Sequence, residues 1–205
     1  MSNAEIIEQI RALPTKEKRK LDRDKIGALM KQMTSDEIEE LSRAIGYPVF
    51  ARVCMGKLGY LFVMLQDGAA AAIIDKEGRI LLQSRADRDL WGLPGGCQEV
   101  GERFEDVLIR EIKEETNLDV KEEDLQLISI VSGSSRKNSY PHGDIVYNNT
   151  VFYCVENYSG ELKWNEESKD MKFYDLDNLP KNLHDADLID IYKKYLKRKQ
   201  VDYDR

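Results

Sequence analysis

The chain has 205 residues, of which 41% are hydrophobic and 34% are charged, and its formal net charge is −7. This balance is typical of soluble globular proteins and excludes disordered and fibrous ones. An acidic chain also lacks the excess Lys and Arg that a general DNA or RNA coat protein needs, so we do not expect a nucleic-acid partner.

The cysteines and the termini bear on where the protein works. Cys54, Cys97 and Cys154 are odd in number and widely spaced, which favours reduced thiols over a disulfide framework or a CxxC metal site. The longest apolar runs, LGYLFVML and AAAAII, are too short to span a bilayer, and MSNAEIIEQIR lacks the apolar core of a secretion signal. We therefore expect a cytoplasmic protein with no membrane partner.

Residues 1–47 form a helical N-terminal segment that is distinct from the rest of the chain. Their Ile, Leu and Met residues recur at helical spacing, Thr34 and Glu37 form a capping-box pattern, and Gly46 ends the last helix. These apolar residues are too many for a solvated tail and too few for an independent core. We expect the segment to pack on the following domain and to help form a homodimer.

Residues 48–205 form the second domain, and their pattern is mainly that of strands. Helical patterns interrupt only at about 103–116 and 184–198, so we predict a mixed sheet covered by a few helices, an α+β fold. The predicted strands have the sequences YLFVML, AAAAIID, RILLQS, LQLISIVSG, IVYNNTVFYCVE and MKFYDL.

The helix at 103–116 places carboxylates where it should be apolar. The stripe of Phe104, Val107 and Leu108 continues at helical spacing into three glutamates, Glu111, Glu114 and Glu115. Glutamates are common on solvated helices without chemical meaning, but these continue the apolar stripe and follow a glycine loop that carries Glu102. Such a cluster favours a hard divalent cation, Mg²⁺ or in its place Mn²⁺, and metal-assisted attack on a phosphoanhydride.

The segment from Gly96 to Leu118, GCQEVGERFEDVLIREIKEETNL, resembles the Nudix box. Asn117 stands where that family has Gly, but Asn is the next best residue for a left-handed helix cap. With WGLPGG before the box and YPHGDIVYNNTVFY after it, the resemblance covers roughly residues 50–200. It implies the α/β/α sandwich of the family. The positions that match the box are Gly96, Glu102, Arg110, Glu111, Ile112, Glu114, Glu115 and Leu118.

The resemblance implies a role for each matched residue. Glu114 and Glu115 correspond to the main Mg²⁺ ligands, Glu111 binds metal or accepts the proton from water, and the carbonyl near Gly95 completes the metal shell. Arg110 corresponds to the arginine that orients a box glutamate, either Glu102 or Glu114. The catalytic set is therefore Glu111, Glu114 and Arg110. The residues expected to face the substrate are Gly96, Glu102, Tyr140, Asp144 and Tyr147.

Other candidates carry weaker patterns. His142 and His184 have no neighbouring ligand and are interpreted as surface or loop residues, and Trp91 as a packing residue. Glu166 or Glu167 is similar in place to an extra acid of some family members.

Two functions remain from different classes. The first is Mg²⁺-dependent hydrolysis of a nucleoside diphosphate linked to another moiety, such as ADP-ribose or a sugar nucleotide, a nucleoside triphosphate or a CDP-alcohol. The second is a non-catalytic Nudix-fold module that senses a nucleotide and acts through its helical N-terminus. The complete set of acids favours the hydrolase, because a sensor has no need of a full metal site.

Overall fold

A computed structural model describes residues 2–18, 20–46, 50, 63–86, 89–139 and 145–203. The helices with described bounds that precede the sheets are α1 (Asn3–Arg11), α2 (Thr15–Lys18), α3 (Arg23–Met30) and α4 (Ser35–Ile45). The Thr34 and Glu37 capping box starts α4, and Gly46 ends it at φ 94°. Within the part of the chain that the structure describes, no helix is both long enough and apolar enough to cross a membrane.

The N-terminal helices bury their apolar faces against one another. The buried members of this cluster are Ile7, Ile10, Ile26, Leu41, Ala44 and Ile45. The helices also reach the second domain, where Arg43 Nε donates to the Val100 carbonyl at 3.1 Å in the loop before the acid-rich helix. The apolar side chains are thus covered largely within the segment, and its role in dimerisation stays a prediction.

Among the described residues, eight strands and two long α-helices build the second domain. The strands are β1 (Val63–Ile73), β2 (Ile80–Arg85), β3 (Trp91–Gly92), β4 (Gly95–Cys97), β5 (Leu125–Val131), β6 (Lys137–Ser139), β7 (Ile145–Val155) and β8 (Ser168–Tyr174). The helices are α5 (Phe104–Thr116) and α6 (Ala186–Tyr203). One sheet has the order β4-β1-β7-β5 with β6 also on β7, and the other has the order β3-β2-β8.

The long parallel pair of β1 and β7 lies at the centre of the domain. It runs from Val63 opposite Ile145 to Ile73 opposite Val155. Successive side chains of a strand point to opposite faces, so Ala69, Ala71 and Ile73 pack with α5. Ala70, Ala72 and Ile74 pack with α6 on the other face. The mixed sheet between helical layers confirms the predicted α+β fold and its α/β/α layering.

The prediction for β1 was wrong in one respect. The sequence indicates two separate apolar runs interrupted at Gln66, Asp67 and Gly68, whereas the structure has one continuous strand through these residues. The strand continues because each of the three residues pairs with β7, through Asn148, Asn149 and Thr150.

Candidate active site

Helix α5 carries its glutamates to different depths. Val107, Leu108 and Ile112 are fully buried, and Glu115, three residues after Ile112, is only 5% exposed. The Glu111 side chain is 16% exposed and that of Glu114 is 57% exposed. The expected common face is therefore graded: Glu115 points inward, Glu111 lies at the boundary and Glu114 faces out.

Glu115 is held by two donors from neighbouring strands. Its Oε1 accepts from Gln83 Nε2 at 3.0 Å, and its Oε2 accepts from the Gly95 backbone N–H at 2.9 Å. Burial, with the nearby Glu111 charge, raises the pKa of Glu115 to about 8 despite these bonds. The carboxylate is thus fixed in position, and its negative charge is only partly compensated.

Glu111 lies between an arginine and a glycine. Arg110 Nη1 donates to its Oε1 at 2.8 Å. A β-carbon built on Gly96 would lie 2.7 Å from Glu111 Oε2, so only glycine leaves room for the carboxylate here. Burial raises the pKa of Glu111 to about 7 although Arg110 opposes the shift, and Glu114 and Glu167 contribute to it.

Arg110 joins the box glutamates to the preceding loop. Its Nε and Nη2 donate to the two oxygens of Glu102 at 2.7 and 2.9 Å, a bidentate geometry that is among the strongest side-chain pairs. Nη2 also donates to the Cys97 carbonyl at 3.1 Å, and Nη1 lies 3.5 Å from Glu114 Oε2. Of the two predicted partners of Arg110, Glu102 is the closer.

The glutamates do not form a ready-made metal cage. Among the described residues, no three His, Cys, Asp or Glu side chains are grouped so that they could hold a metal ion. Mg²⁺ usually binds proteins through one or two carboxylates and completes its shell with waters and substrate phosphates. The oxygen donors of Glu111, Glu114 and Glu115 have the chemistry that this mode of binding requires.

A cavity of about 170 Å³ lies on one side of β4, and these glutamates lie on the other side of that strand. The neighbouring Gly95, Gly96 and Cys97 form one wall of the cavity. Strands β1 and β7 and the start of α6 supply most of the rest. The remaining lining residues that matter below are Gly68, Ala69, Ala70, Arg85, Arg136, Asn138, Asn148, Asn149, His184 and Asp185.

The remaining predicted residues lie partly outside the described residues and partly away from the cavity. Tyr140, Asp144 and His142 lie outside the described residues. Tyr147 is half-buried on β7 and is not part of the described lining of the cavity, so its substrate contact stays a prediction. Trp91 packs edge to face on Tyr174 at 5.2 Å between ring centres, consistent with a packing role.

Sequence reasoning missed several site residues. His184, interpreted as a surface or loop residue, lies in the loop before α6 and lines the cavity, where its Nδ1 lies 2.9 Å from Asp185 Oδ1. Gln83, Arg136 and the asparagines of β7 were not singled out either. The DGAAAA run of β1 was a usable signal, because a row of small residues in a strand leaves space above it.

Comparison with known proteins supports the resemblance seen in the sequence. The model of the family described as NUDIX domain matches residues 64–195. The ADP-ribose pyrophosphatase of Methanocaldococcus jannaschii is 36% identical over 134 residues, which are 64% of this chain and 73% of that protein. A putative 8-oxo-dGTP diphosphatase of Bacillus subtilis is 43% identical over 53 residues, 26% of this chain and 36% of that protein.

A solved structure agrees with the fold. The crystal structure of a MutT NUDIX hydrolase from Burkholderia pseudomallei is 28% identical and superposes with a TM-score of 0.51. The match covers 62% of this chain and 96% of that one. The family match begins at residue 64, so the N-terminal helices lie outside it.

Proposed function

Because the chain belongs to the NUDIX domain family and is a Nudix hydrolase, we propose that it cleaves a phosphoanhydride bond in a nucleoside diphosphate linked to another moiety, with Mg²⁺ as cofactor. The observation that carries this proposal is the Glu102–Arg110–Glu111 network beside the buried Glu115. Burying charged groups costs free energy, and buried charged groups with shifted pKa values are concentrated at functional sites.

Glu111, Glu114 and Glu115 would hold the cation, with the Gly95 carbonyl as a further ligand. When bound, Mg²⁺ supplies positive charge that stabilises the diphosphate during cleavage. Mn²⁺, a cation of similar ligand preference, should substitute for it. The proposal fits the raised pKa of Glu115, because a bound cation would stabilise the ionised carboxylate that burial disfavours.

The protein's own groups prepare the site. Arg110 orients Glu111 through the 2.8 Å bond from Nη1, and Glu102 in turn fixes Arg110 from the opposite side. Glu102 is itself held, because its Oε2 accepts from the Glu99 backbone N–H at 2.9 Å. Glu111 serves either as a metal ligand or as the acceptor of the proton from the attacking water.

ADP-ribose is our first candidate substrate. It is supported by the Methanocaldococcus relative, whose name specifies ADP-ribose and which this chain matches over 134 residues. The Bacillus relative, whose name specifies 8-oxo-dGTP, is matched over 53 residues only. The shorter match gives less weight to a nucleoside triphosphate. We further propose that the protein acts in the cytoplasm as a homodimer.

A substrate panel with Mg²⁺, Mn²⁺ or a chelator tests this function. We expect hydrolysis of ADP-ribose with either cation and none with the chelator. Glu111→Gln should lower turnover at least about 100-fold, with Glu123→Gln as an exposed control outside the box. Unchanged metal affinity in Glu111→Gln would favour the proton-acceptor role, and weakened affinity would favour a ligand role. Activity that persists in the chelator would contradict the metal requirement.

A further inference from the structure

Small residues of β1 line part of the cavity, next to Gln66 and Asp67 of the same strand. Gly68, Ala69 and Ala70 all line it. Pockets that enclose a whole drug-sized ligand measure about 300–1,000 Å³, whereas this cavity measures about 170 Å³. It therefore has room for one ring-sized group of a substrate whose diphosphate lies outside, at the glutamates.

Arg136 is a buried side chain of this cavity, and one of its N–H donors has no partner among the described residues. It is 9% exposed, and its Nη1 donates to both oxygens of Asp187 at 3.0 and 3.1 Å. Its Nη2 donates to Thr150 Oγ1 at 3.1 Å, while the buried Nε has no partner among the described residues. Buried donors nearly always have a hydrogen-bond partner, so this nitrogen points to an acceptor on a bound ligand.

His184 is a second positioned group, on the α6 side of the cavity. Asp185 is 8% exposed and accepts from the Leu93 backbone N–H at 3.0 Å through Oδ2. Its Oδ1 faces His184 Nδ1 at 2.9 Å. Since a carboxylate can only accept, Nδ1 carries the hydrogen, and Nε2 is left to bond a ligand.

The cavity carries fixed hydrogen-bonding groups without surplus positive charge. Asp187 neutralises Arg136, and the charge of Arg85 acts on the Glu115 carboxylate. Asp67 accepts from Asn149 Nδ2 at 2.7 Å and adds a negative charge. A phosphate group needs net positive charge around it, whereas sugar hydroxyls need only donors and acceptors.

The residue types around the cavity also favour a sugar over a nucleobase as its ligand. None of the described residues around the cavity is Phe, Tyr or Trp, and the one imidazole, that of His184, is fixed edge-on by its bond to Asp185. Sites for bases commonly stack the base on the ring of a Phe, Tyr or Trp side chain. Amides are abundant instead, with Asn138, Asn148 and Asn149 around the cavity. Amides offer both donors and acceptors, as hydroxyl groups do.

We propose that this cavity binds the uncharged sugar attached to the diphosphate, and that Arg136 and His184 are its specificity-determining residues. The inference rests on the proposed function and adds a preference to it. The enzyme favours sugar-linked nucleoside diphosphates over nucleoside triphosphates, because the third phosphate of a triphosphate would bring charge that the cavity does not compensate.

Steady-state kinetics on ADP-ribose and dATP tests the proposal with Arg136→Lys and His184→Gln. We expect the wild type to have the higher kcat/KM for ADP-ribose. Each variant should raise KM for ADP-ribose about 10-fold or more while kcat stays within about threefold, as for the loss of a buried hydrogen bond. KM for dATP should change less than threefold. Arg79→Lys is the matched control, because Arg79 pairs with Asp75 at 2.7 Å in a remote turn.

Binding of a non-hydrolysable methylene analogue of ADP-ribose, measured by calorimetry, adds a readout that is independent of turnover. The two variants should bind it about 10-fold more weakly than the wild type and the control. Equal effects on both substrates, no effect on either, or a wild-type preference for dATP would overturn the proposal and leave the hydrolase function standing. If circular dichroism shows that Arg136→Lys is not folded, the result for His184→Gln alone decides the test. Failure of the proposed function itself would show instead as no metal-dependent hydrolysis of any nucleotide.

Discussion

Gly96 offers a substitution that should separate activity from stability. A β-carbon at this position would lie 2.7 Å from Glu111 Oε2 and closer still to its Oε1 and Cδ, whereas ordinary contacts begin at 3.4 Å. The carboxylate is the flexible end of a side chain, so it should retreat by about 1 Å while the backbone stays in place. Its 2.8 Å bond from Arg110 would then lengthen beyond hydrogen-bonding distance.

For Gly96→Ala we expect turnover to fall about 100-fold, the usual effect of a misplacement of about 1 Å at a reacting centre. The free energy of unfolding should change by only about 1 kcal/mol, the loss of one hydrogen bond. Hydrolysis of ADP-ribose and urea unfolding measure the two quantities on the same preparation.

Gly78→Ala is the control with the opposite expectation. Gly78 has φ 79° and nothing within 4 Å of a built β-carbon, so the alanine meets no neighbour but is held in a left-handed conformation. It should cost about 1–2 kcal/mol of stability and leave turnover within twofold. The reasoning about Glu111 would be refuted if Gly96→Ala kept normal turnover, or if it lost activity only by unfolding.

Three further changes test other parts of the structure. Asn117→Gly should alter the free energy of unfolding by less than about 1 kcal/mol, since relief at φ 61° is offset by the lost bond from Nδ2 to the Glu161 carbonyl; loss of hydrolysis in the folded variant would contradict the cap argument. Burial would raise the pKa of Asp185, but His184, Leu93 and Arg136 hold it below its usual value. The stability that Asp185 contributes is therefore present above about pH 4 and is lost as pH falls through its folded pKa. In urea unfolding at a series of pH values, the free energy of unfolding of Asp185→Asn should fall less at acid pH than that of the wild type. An equal fall in both proteins would contradict this prediction. Deletion of residues 1–47 should reduce the mass seen by light scattering to that of a monomer, and a truncated protein that kept its dimeric mass and thermal stability would exclude both roles of the segment.

The elements that sequence analysis predicted best are those with strong local signals. Helix α5 follows from its apolar stripe, and the caps at Thr34, Gly46 and Asn117 follow from residue type. These features depend on residues a few positions apart. Local propensity and capping therefore suffice to predict them.

The cavity depends on contacts that no local pattern contains. Arg136 meets Asp187 across 51 positions, and Leu93 meets Asp185 across 92. The depth at which each glutamate is buried also depends on its neighbours. Glu115 can be buried because Gln83 and Gly95 donate hydrogen bonds to it, whereas helical spacing alone predicts one common face for all three acids. Pairing between β1 and β7 likewise decided that β1 continues through Gln66, Asp67 and Gly68.

The most direct test of the central claim compares hydrolysis of ADP-ribose by the wild type and by Glu115→Gln, each with Mg²⁺ and with a chelator. Glu105→Gln serves as the control on the same helix, where Glu105 accepts from the Tyr153 hydroxyl at 2.9 Å outside the metal-binding set. We predict Mg²⁺-dependent turnover in the wild type and the control, and a rate lower by at least about 100-fold in Glu115→Gln with its fold intact. Near-normal turnover in a folded Glu115→Gln would contradict the assignment of the buried glutamate to the metal site.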